Sequence, residues 1–577
     1  MKYYTEHDLK IEVPKCTIYQ NIYNRNHDYP KDIAINYFGN KISYATLFDR
    51  TSQCAKALLK VGIKRGDCVT LCTASIPESI YIILACSRIG AIANFINPLF
   101  TKEQKVDRIN ETEGHWIFIL DEMYSFIKDA LSKTCIENVV IIPVSNSIPI
   151  FASKILYLKS KAREILVNNK DGIQNYLSWN DFIATGRGYN GEISAPYEPN
   201  TPAIMVYSSG STGASKGILL TNDGVNAMIA NYDVDSMLFD RTDSFLSIIP
   251  VWFSTGAVYS LIMPLAKGFT VIPEPVFSNE SFVNDIKKYK PSITVAATNM
   301  WLYAIDAEEI QTVDLSNMKY PITGGEKILP KDEQRINAYL YKNGCKKKFY
   351  KGYGMCELGS EITGTTDATN YADKQGGSGY PILNTIVSAF DIDTNEELKY
   401  GEHGEIRVCS PARMKEYYKN PEATAEFFKT DTDGKVWGCT GDIGYIDEDG
   451  EVFILGRATD CYYNDEGKTV YLFDIEEEIF KDESVNQCKV IDIEERGKTK
   501  LAAHIVFRDD VVDPDGHIRR IAAYLSSKLP GYMQPDYYKI RTTMPINLNG
   551  KRDVGALRAD RKDLIQIDYM SLESEAE

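Results

Sequence analysis

Apolar positions along the chain alternate between two spacings. Tyr44 to Leu59 repeats with helical spacing, and the turn Gly62-Ile63-Lys64-Arg65-Gly66-Asp67 separates it from the strand-like run Cys68-Val69-Thr70-Leu71. Ser75 and Glu78 have capping-box spacing just before Ile80-Tyr81-Ile82-Ile83-Leu84-Ala85, which predicts a helix with a wide apolar face that Gly90 ends. Trp116 to Leu120, Val139 to Ile142, Ser244 to Ile249, Thr270 to Ile272 and Ile293 to Ala297 each read as a short buried strand. Helix and strand alternate, so the fold class is α/β in layers. From about Gly401 the texture changes to short strands and tight turns, with Asp449-Gly450 reading as the turn of a β-hairpin. The expectation is a large multi-layer N-terminal α/β domain with a β-rich sub-domain, followed by a small α+β domain.

Composition narrows this picture. With 577 residues the chain is well beyond the ~150 of an average domain, so more than one core is required. A hydrophobic share of 44% and a charged share of 25% exclude disorder and collagen-like or coiled-coil architectures. The formal net charge of −16 argues against broad binding of nucleic acid or anionic lipid. Twelve dilute cysteines without a C-x-x-C pair suggest neither a zinc ribbon nor a disulfide scaffold and fit a reducing, cytoplasmic setting. Met1 to Lys10 mixes charges and has no signal-peptide core, and Ile80 to Phe100 is interrupted by Arg88, Gly90, Asn94, Asn97 and Pro98 and fails as a membrane span.

Ile148 to Val167 stands apart, because Lys154, Lys159, Lys161 and Arg163 are interleaved with apolar residues. It reads as an ordinary surface helix, with peripheral membrane contact or the lining of an acyl entry route as the alternative. Gly186-Arg187-Gly188-Tyr189-Asn190-Gly191 matches a dinucleotide fingerprint but runs into Pro196 and Pro199 instead of opening a helix, so it is set aside.

The densest chemical signal is Tyr207-Ser208-Ser209-Gly210-Ser211-Thr212-Gly213-Ala214-Ser215-Lys216-Gly217, which follows the strand-like Ala203-Ile204-Met205-Val206. Small residues let backbone N–H groups approach phosphate oxygens, hydroxyls donate further hydrogen bonds, and Lys216 supplies charge. The residues flanking Lys216 are Ser215 and Gly217, so this is not a Walker A loop.

This loop resembles the phosphate loop of the adenylate-forming superfamily, which includes acyl-CoA and aryl-CoA ligases, peptide-synthetase adenylation domains and firefly luciferase. Later motifs follow in the family's order, from about Tyr44 to Leu557. Gly324-Gly325-Glu326 resembles the loop on which adenine lies. Gly352-Tyr353-Gly354-Met355-Cys356-Glu357 resembles G-Y-G-M-T-E, which implies Tyr353 stacking on adenine and Glu357 holding Mg²⁺. Thr440-Gly441-Asp442 is similar to T-G-D, whose aspartate accepts ribose hydroxyls, and the resemblance gives Arg457 contact with ribose or phosphate. Pro545-Ile546-Asn547-Leu548-Asn549-Gly550-Lys551-Arg552-Asp553 is similar to P-x-x-x-x-G-K-x-D, the segment that carries the adenylation lysine, here Lys551. The resemblance thus implies catalysis through Lys551, Glu357 and Lys216, with Ser208 to Gly213, Gly324 to Glu326, Tyr353, Gly354, Cys356, Asp442, Arg457 and Gly467 around the nucleotide.

Four positions depart from the pattern. Thr459 stands where Asp or Lys marks the pivot of the C-terminal domain, Leu472 where proline is usual, Asp474 where glutamate is usual, and Cys356 where a hydroxyl residue is usual. Pro250-Val251-Trp252-Phe253 occupies the place of P-x-F-H, putting the apolar Phe253 at the gate. Trp252, Phe253, Asn299, Met300 and Tyr353 fall in the regions that line the family's acyl pocket.

The resemblance implies a ligase that uses ATP, Mg²⁺ and coenzyme A. A medium- or long-chain fatty acid is the favoured substrate and an aromatic acid the alternative. A carrier protein's phosphopantetheine is the alternative acceptor, and a non-catalytic nucleotide binder the alternative class. The implied domains are 1–457, binding ATP and the acyl group, and 458–577, mobile and carrying Lys551.

Overall fold

The computed structural model describes residues 10–149, 175–208, 215–234, 239–326, 328–365, 374–463, 469–508, 510–545 and 552–569. The chain separates into two compact units. One comprises Met1–Ser388, Arg407–Thr440 and Ile446–Phe453, the other Ala389–Ile406, Gly441–Tyr445 and Ile454–Glu577.

Two large sheets organise the first unit. The eight-stranded sheet runs Glu416–Tyr417, Gly217–Thr221, Pro202–Tyr207, Ile92–Phe95, Cys68–Cys72, Trp116–Leu120, Asn138–Ile142, Asn175–Ser178. Its middle strands are parallel, and the strands at Gly217 and Glu416 are antiparallel additions. The nine-stranded sheet has a parallel core that includes Ser244–Ser247, Thr270–Pro273, Ile293–Ala296, Tyr320–Gly324 and Tyr350–Tyr353, and the short antiparallel strands Thr363–Gly364 and Tyr380–Pro381 finish one edge. Every apolar run read as a strand is one. Their burial on both faces explains why they lack polar alternation. Trp301 anchors one core, meeting Phe282 and Phe349 edge-on.

The helix Pro77–Ile89 is buried at every position except Arg88, which makes it a core helix. Its start differs from the capping-box expectation. Pro77 opens the helix and Ile76 gives no side-chain cap, while Glu78 turns its Oε1 to Asn146 Nδ2 at 2.7 Å and Ser147 Oγ at 2.5 Å. Proline has no N–H to cap and sets the first helical φ, so the serine is not needed there. Gly90 ends the helix in the left-handed conformation, as its position predicts. The set-aside glycine motif begins at the C-cap of the helix Trp179–Thr185 and is followed by irregular chain.

In the second unit a four-stranded sheet, Val485–Glu495, Lys498–Phe507, Tyr537–Arg541 and Ile565–Gln566, packs with the helices Leu472–Ile479 and Pro514–Lys528 around Ile475, Cys488, Ile518, Leu525 and Tyr538. The strands Ile386–Phe390, Gly404–Cys409 and Val436–Ile446 have residues in both units. Asp449-Gly450 forms the expected turn between the paired strands Val436–Ile446 and Val452–Arg457. All twelve cysteines are free of disulfides. Among the described residues no helix is long and apolar enough to cross a membrane. The segment expected between Ile148 and Val167 lies outside the described residues apart from Ile148 and Pro149.

One pair of acids is buried away from the motifs. Glu274 follows the strand Thr270–Pro273 and is hydrogen-bonded to Asp285 of the helix Asn279–Tyr289. Burial and the Glu274 charge push the Asp285 carboxyl up to about 8, so the native pair holds a proton that the unfolded chain releases above about pH 4. The unfolding free energy should therefore fall as pH rises between those values, by on the order of 1 kcal/mol per pH unit for one proton. Asp285→Asn should flatten that slope in urea titrations at pH 5 to 8; an unchanged slope would show that the pair is not the proton's site.

Candidate active site

The loop singled out in the sequence joins two antiparallel neighbours, Pro202–Tyr207 and Gly217–Thr221, in which Tyr207 pairs with Gly217. Its base is clamped. The Ser208 N–H donates to the Lys216 carbonyl at 3.0 Å and the Lys216 N–H donates to Ser208 Oγ at 2.9 Å. Ser208 therefore closes the loop at its foot. Ser209, Gly210, Ser211, Thr212 and Gly213 lie outside the described residues.

Lys216 projects its Nζ over the Tyr417 ring, 5.0 Å from the centroid. Tyr417 lies on the edge strand Glu416–Tyr417, which pairs with Gly217–Thr221. Its Oη donates to Glu357 Oε1 at 2.9 Å. Glu357 is buried in a short 3₁₀ turn, Cys356–Leu358, and its carbonyl accepts from the Met414 N–H at 2.7 Å. Burial first, and then the Glu357 charge, raise the Tyr417 hydroxyl well above its ordinary range, so it stays a donor. Two residues far apart in sequence, Lys216 and Glu357, thus meet at one tyrosine, the first over its ring and the second on its hydroxyl. Tyr417 carried no signal in the sequence, since Lys415-Glu416-Tyr417-Tyr418-Lys419 reads as a polar surface stretch.

Among the described residues no cluster of three or more metal-ligating side chains occurs. Glu357 is a single acid at this place, a donor set that suits a hard cation completed by phosphate oxygens.

Glu357 sits in the reversal between the strands Tyr350–Tyr353 and Thr363–Gly364. Gly354 admits no side chain, because a methyl there would stand 1.7 Å from the Ser360 carbonyl oxygen. Gly324 ends the neighbouring strand and pairs with Gly352. Thr323, Gly324, Glu326, Lys351 and Gly352 line a small cleft, with Gly325 and Glu326 exposed at its rim. Tyr353, Gly354 and Cys356 are half-buried beside it in sequence.

Of the residues assigned to the acyl pocket, Trp252 is buried and Phe253 half-buried, their rings 6.3 Å apart, just before the π-helix Thr255–Ile262. Asn299 is exposed. Met300 packs in the core with Leu246, Trp301 and Phe349. The Glu357 reversal is tied to the π-helix by Ser360 Oγ, which donates to Thr255 Oγ1 at 3.1 Å.

Asp442 and Arg457 meet in the second unit, where Arg457 Nε stands 3.1 Å from Asp442 Oδ1, the acid buried and the guanidinium half-exposed. Just after Thr459, Asp460 receives the buried Lys489 at 2.7 Å, and Lys489 also reaches Glu476 at 3.1 Å. The departure at Thr459 is thus followed at once by an anchored acid. Leu472 is a core residue and Asp474 lies in the first turn of its helix. Gly467 and Lys551 lie outside the described residues.

The chain is 24% identical over 550 residues to a long-chain-fatty-acid–CoA ligase of Bacillus subtilis, with 94% of each chain covered. It is 26% identical over 430 residues to 4-coumarate–CoA ligase 4 of Arabidopsis thaliana, covering 73% of this chain and 69% of the relative. The crystal structure of ATP-bound MatB from Rhodopseudomonas palustris superposes with a TM-score of 0.76 at 22% identity, covering 94% of this chain and 99% of that one, and so shares the fold. The family model for AMP-binding enzymes matches residues 22–418, the span that holds the clamped loop, Glu357 and Tyr417, and the chain belongs to that adenylate-forming family.

Proposed function

We propose that the protein joins a carboxylic acid to coenzyme A in two steps: the acid and ATP give acyl-AMP and pyrophosphate, and the thiol then displaces AMP. The observation that carries this reading is the convergence of Lys216, Tyr417 and Glu357 at the foot of the clamped loop. A cation over the face of one tyrosine and an acid on its hydroxyl suit a polyphosphate and the metal that accompanies it. Glu357 would hold Mg²⁺, which when bound offsets phosphate charge. Tyr417 keeps the Glu357 carboxylate in place, and Lys216 supplies positive charge to the phosphates. Tyr353 and Gly324-Gly325-Glu326 would bracket adenine, and Asp442 with Arg457 would take the ribose. Lys551 would align the carboxylate with the α-phosphate and offset charge in the transition state.

In this proposal residues 1–457 bind ATP and the acyl group, and 458–577 form a mobile domain that turns between the steps. The acid has an apolar body. A medium- or long-chain fatty acid is favoured by Trp252 and Phe253 and by the likeness to the Bacillus ligase, and an aromatic acid by the likeness to the Arabidopsis one. Soluble coenzyme A is preferred to a carrier-bound phosphopantetheine because both relatives are named as CoA ligases. The proposed location is the cytoplasm.

Lys551→Ala should lower carboxylate-dependent ATP–pyrophosphate exchange by roughly 10²–10³-fold; full exchange would remove that lysine from the mechanism. Tyr417→Phe takes the donor from a buried carboxylate oxygen and should cost about 1–3 kcal/mol of stability, with a raised Mg²⁺ requirement for exchange. An unaltered thermal midpoint together with an unaltered Mg²⁺ requirement would count against the tyrosine's role. Stopped-flow mixing of enzyme-bound acyl-AMP with free coenzyme A should consume the intermediate; consumption only by a carrier protein would reassign the acceptor.

A further inference from the structure

The four-stranded sheet of the second unit has two faces. One carries Cys488, Ala503, Ile505 and Tyr538 and packs with the helices Leu472–Ile479 and Pro514–Lys528. The other carries Ile491, Ile493, Ala502 and Val506, and Met544 and Leu557 pack with them. Met544 and Leu557 lie in sequence on either side of Lys551, so the chain that brings in this lysine is anchored to the second face. The anchors are polar as well as apolar. The Asp553 N–H donates to the Pro545 carbonyl at 2.8 Å, and Arg552, the neighbour of Lys551, donates from Nη1 to the Cys488 carbonyl at 2.8 Å. Asp553 also caps the short helix Val554–Ala559 by accepting from the Ala556 N–H at 2.9 Å. That helix ends at Asp560, whose Oδ1 receives Lys539 Nζ at 2.7 Å and whose Oδ2 receives Arg541 Nη2 at 2.6 Å.

His504 stands at the far end of these contacts. Fully buried on the strand Lys498–Phe507, it accepts at Nδ1 from Arg541 Nε at 2.8 Å. An arginine only donates, so Nδ1 carries no proton and the ring proton sits on Nε2. Across the strands His504 is paired with Lys489 on one side and Lys539 on the other. Burial first, and then the Arg541 charge, hold the imidazole down to about 4, so it remains neutral and an acceptor at neutral pH. Its Nε2 is buried and meets no partner among the described residues. A hydrocarbon side chain would fill the position without an unmet N–H, so packing does not account for a histidine here. What histidine adds is the acceptor that holds the Arg541 guanidinium with Nε toward the sheet and Nη2 toward Asp560.

We propose that His504 is a positioning residue for the adenylation lysine: through Arg541 and Asp560 it fixes the helix Val554–Ala559, and with it the downstream end of the segment that carries Lys551. The inference deepens the adenylation reading and rests on it. In that reading Lys551 aligns the carboxylate with the α-phosphate, which belongs to the first step, and the thiol step that follows makes no use of it. The network therefore serves the formation of acyl-AMP and not its consumption. A charged group acts at a transition state only when it is held in place, and a displacement of about 1 Å costs up to roughly 10²-fold in rate. A side chain that only supports the fold of the unit would instead affect both steps alike.

The two steps are measured apart. A panel of fatty, aromatic and amino acids identifies the acid for which the full-length protein catalyses the fastest ATP–pyrophosphate exchange, and with that acid His504→Leu should slow exchange by roughly 10-fold to 10²-fold. Chemically prepared acyl-AMP bound to the same variant should be consumed by coenzyme A at the wild-type rate. His504→Asn, whose Oδ1 takes the place of Nδ1 as acceptor, should restore most of the exchange. Asp560→Ala, at a partly exposed position that leaves the buried strand intact, should reproduce the slow first step and the normal second one, and it decides the matter if His504→Leu does not fold. Full exchange in both variants, or equal slowing of both steps, overturns the inference while adenylation stands. An asparagine variant as slow as the leucine one overturns it too, and this contrast alone decides if coenzyme A leaves wild-type acyl-AMP untouched. Absence of exchange by the wild-type protein with every acid overturns the adenylation reading and this inference with it.

Discussion

The first unit depends on one short stretch of chain, Met414 to Tyr417, to bring its two sheets to a common point. Through Glu416–Tyr417 this stretch is the outermost strand of the eight-stranded sheet. Through the Met414 N–H and the Tyr417 hydroxyl it holds both the backbone and the carboxylate of Glu357, which belongs to an end of the nine-stranded sheet. Backbone hydrogen bonding fixes the strand, and the strand in turn fixes the side chain that fixes the acid. The chemistry proposed for the site therefore rests on sheet pairing.

Electrostatics follow from that arrangement. A chain with a formal charge of −16 has to bring polyanions to a surface that repels them. The structure meets this locally, by placing Lys216 over an aromatic face and turning the Glu357 carboxylate toward a hydroxyl donor. Where burial outweighs any nearby cation, as at Glu361 and at Asp285 beside Lys288, it holds the acid near neutrality around physiological pH, and so such acids add little to the repulsion.

Much of this was legible in the sequence, for definite reasons. Apolar runs such as Trp116–Leu120 and Ile293–Ala296 are strands of a sheet covered on both faces, which buries every side chain of a short apolar run. The loop from Ser208 to Lys216 announces itself by composition, and Glu357 by its place in a glycine-rich motif. Tyr417 does not, because its role is conferred by strand pairing with a segment some two hundred positions earlier, which no local pattern records. Glu361 was hidden for a different reason: an acid four residues after another acid reads as a solvated loop, and only the pairing of Gly352 with Gly364 shows where it goes. The capping-box reading of Ser75 and Glu78 failed because Pro77 starts the helix by itself, leaving Glu78 to hold Asn146 and Ser147.

The glycines paired across the strands, Gly324, Gly352 and Gly364, leave room for the Glu361 side chain and also constrain how the protein can change over evolutionary time. A methyl on Gly364 would press on the Glu361 carboxylate, whereas a smaller residue at 361 would empty the space and make Gly364 replaceable. The two positions are thus epistatic, and the order of substitution matters. A lineage that first shortens the acid opens a route to larger side chains on both strands, while one that first enlarges Gly364 has to displace the end of the Glu361 side chain.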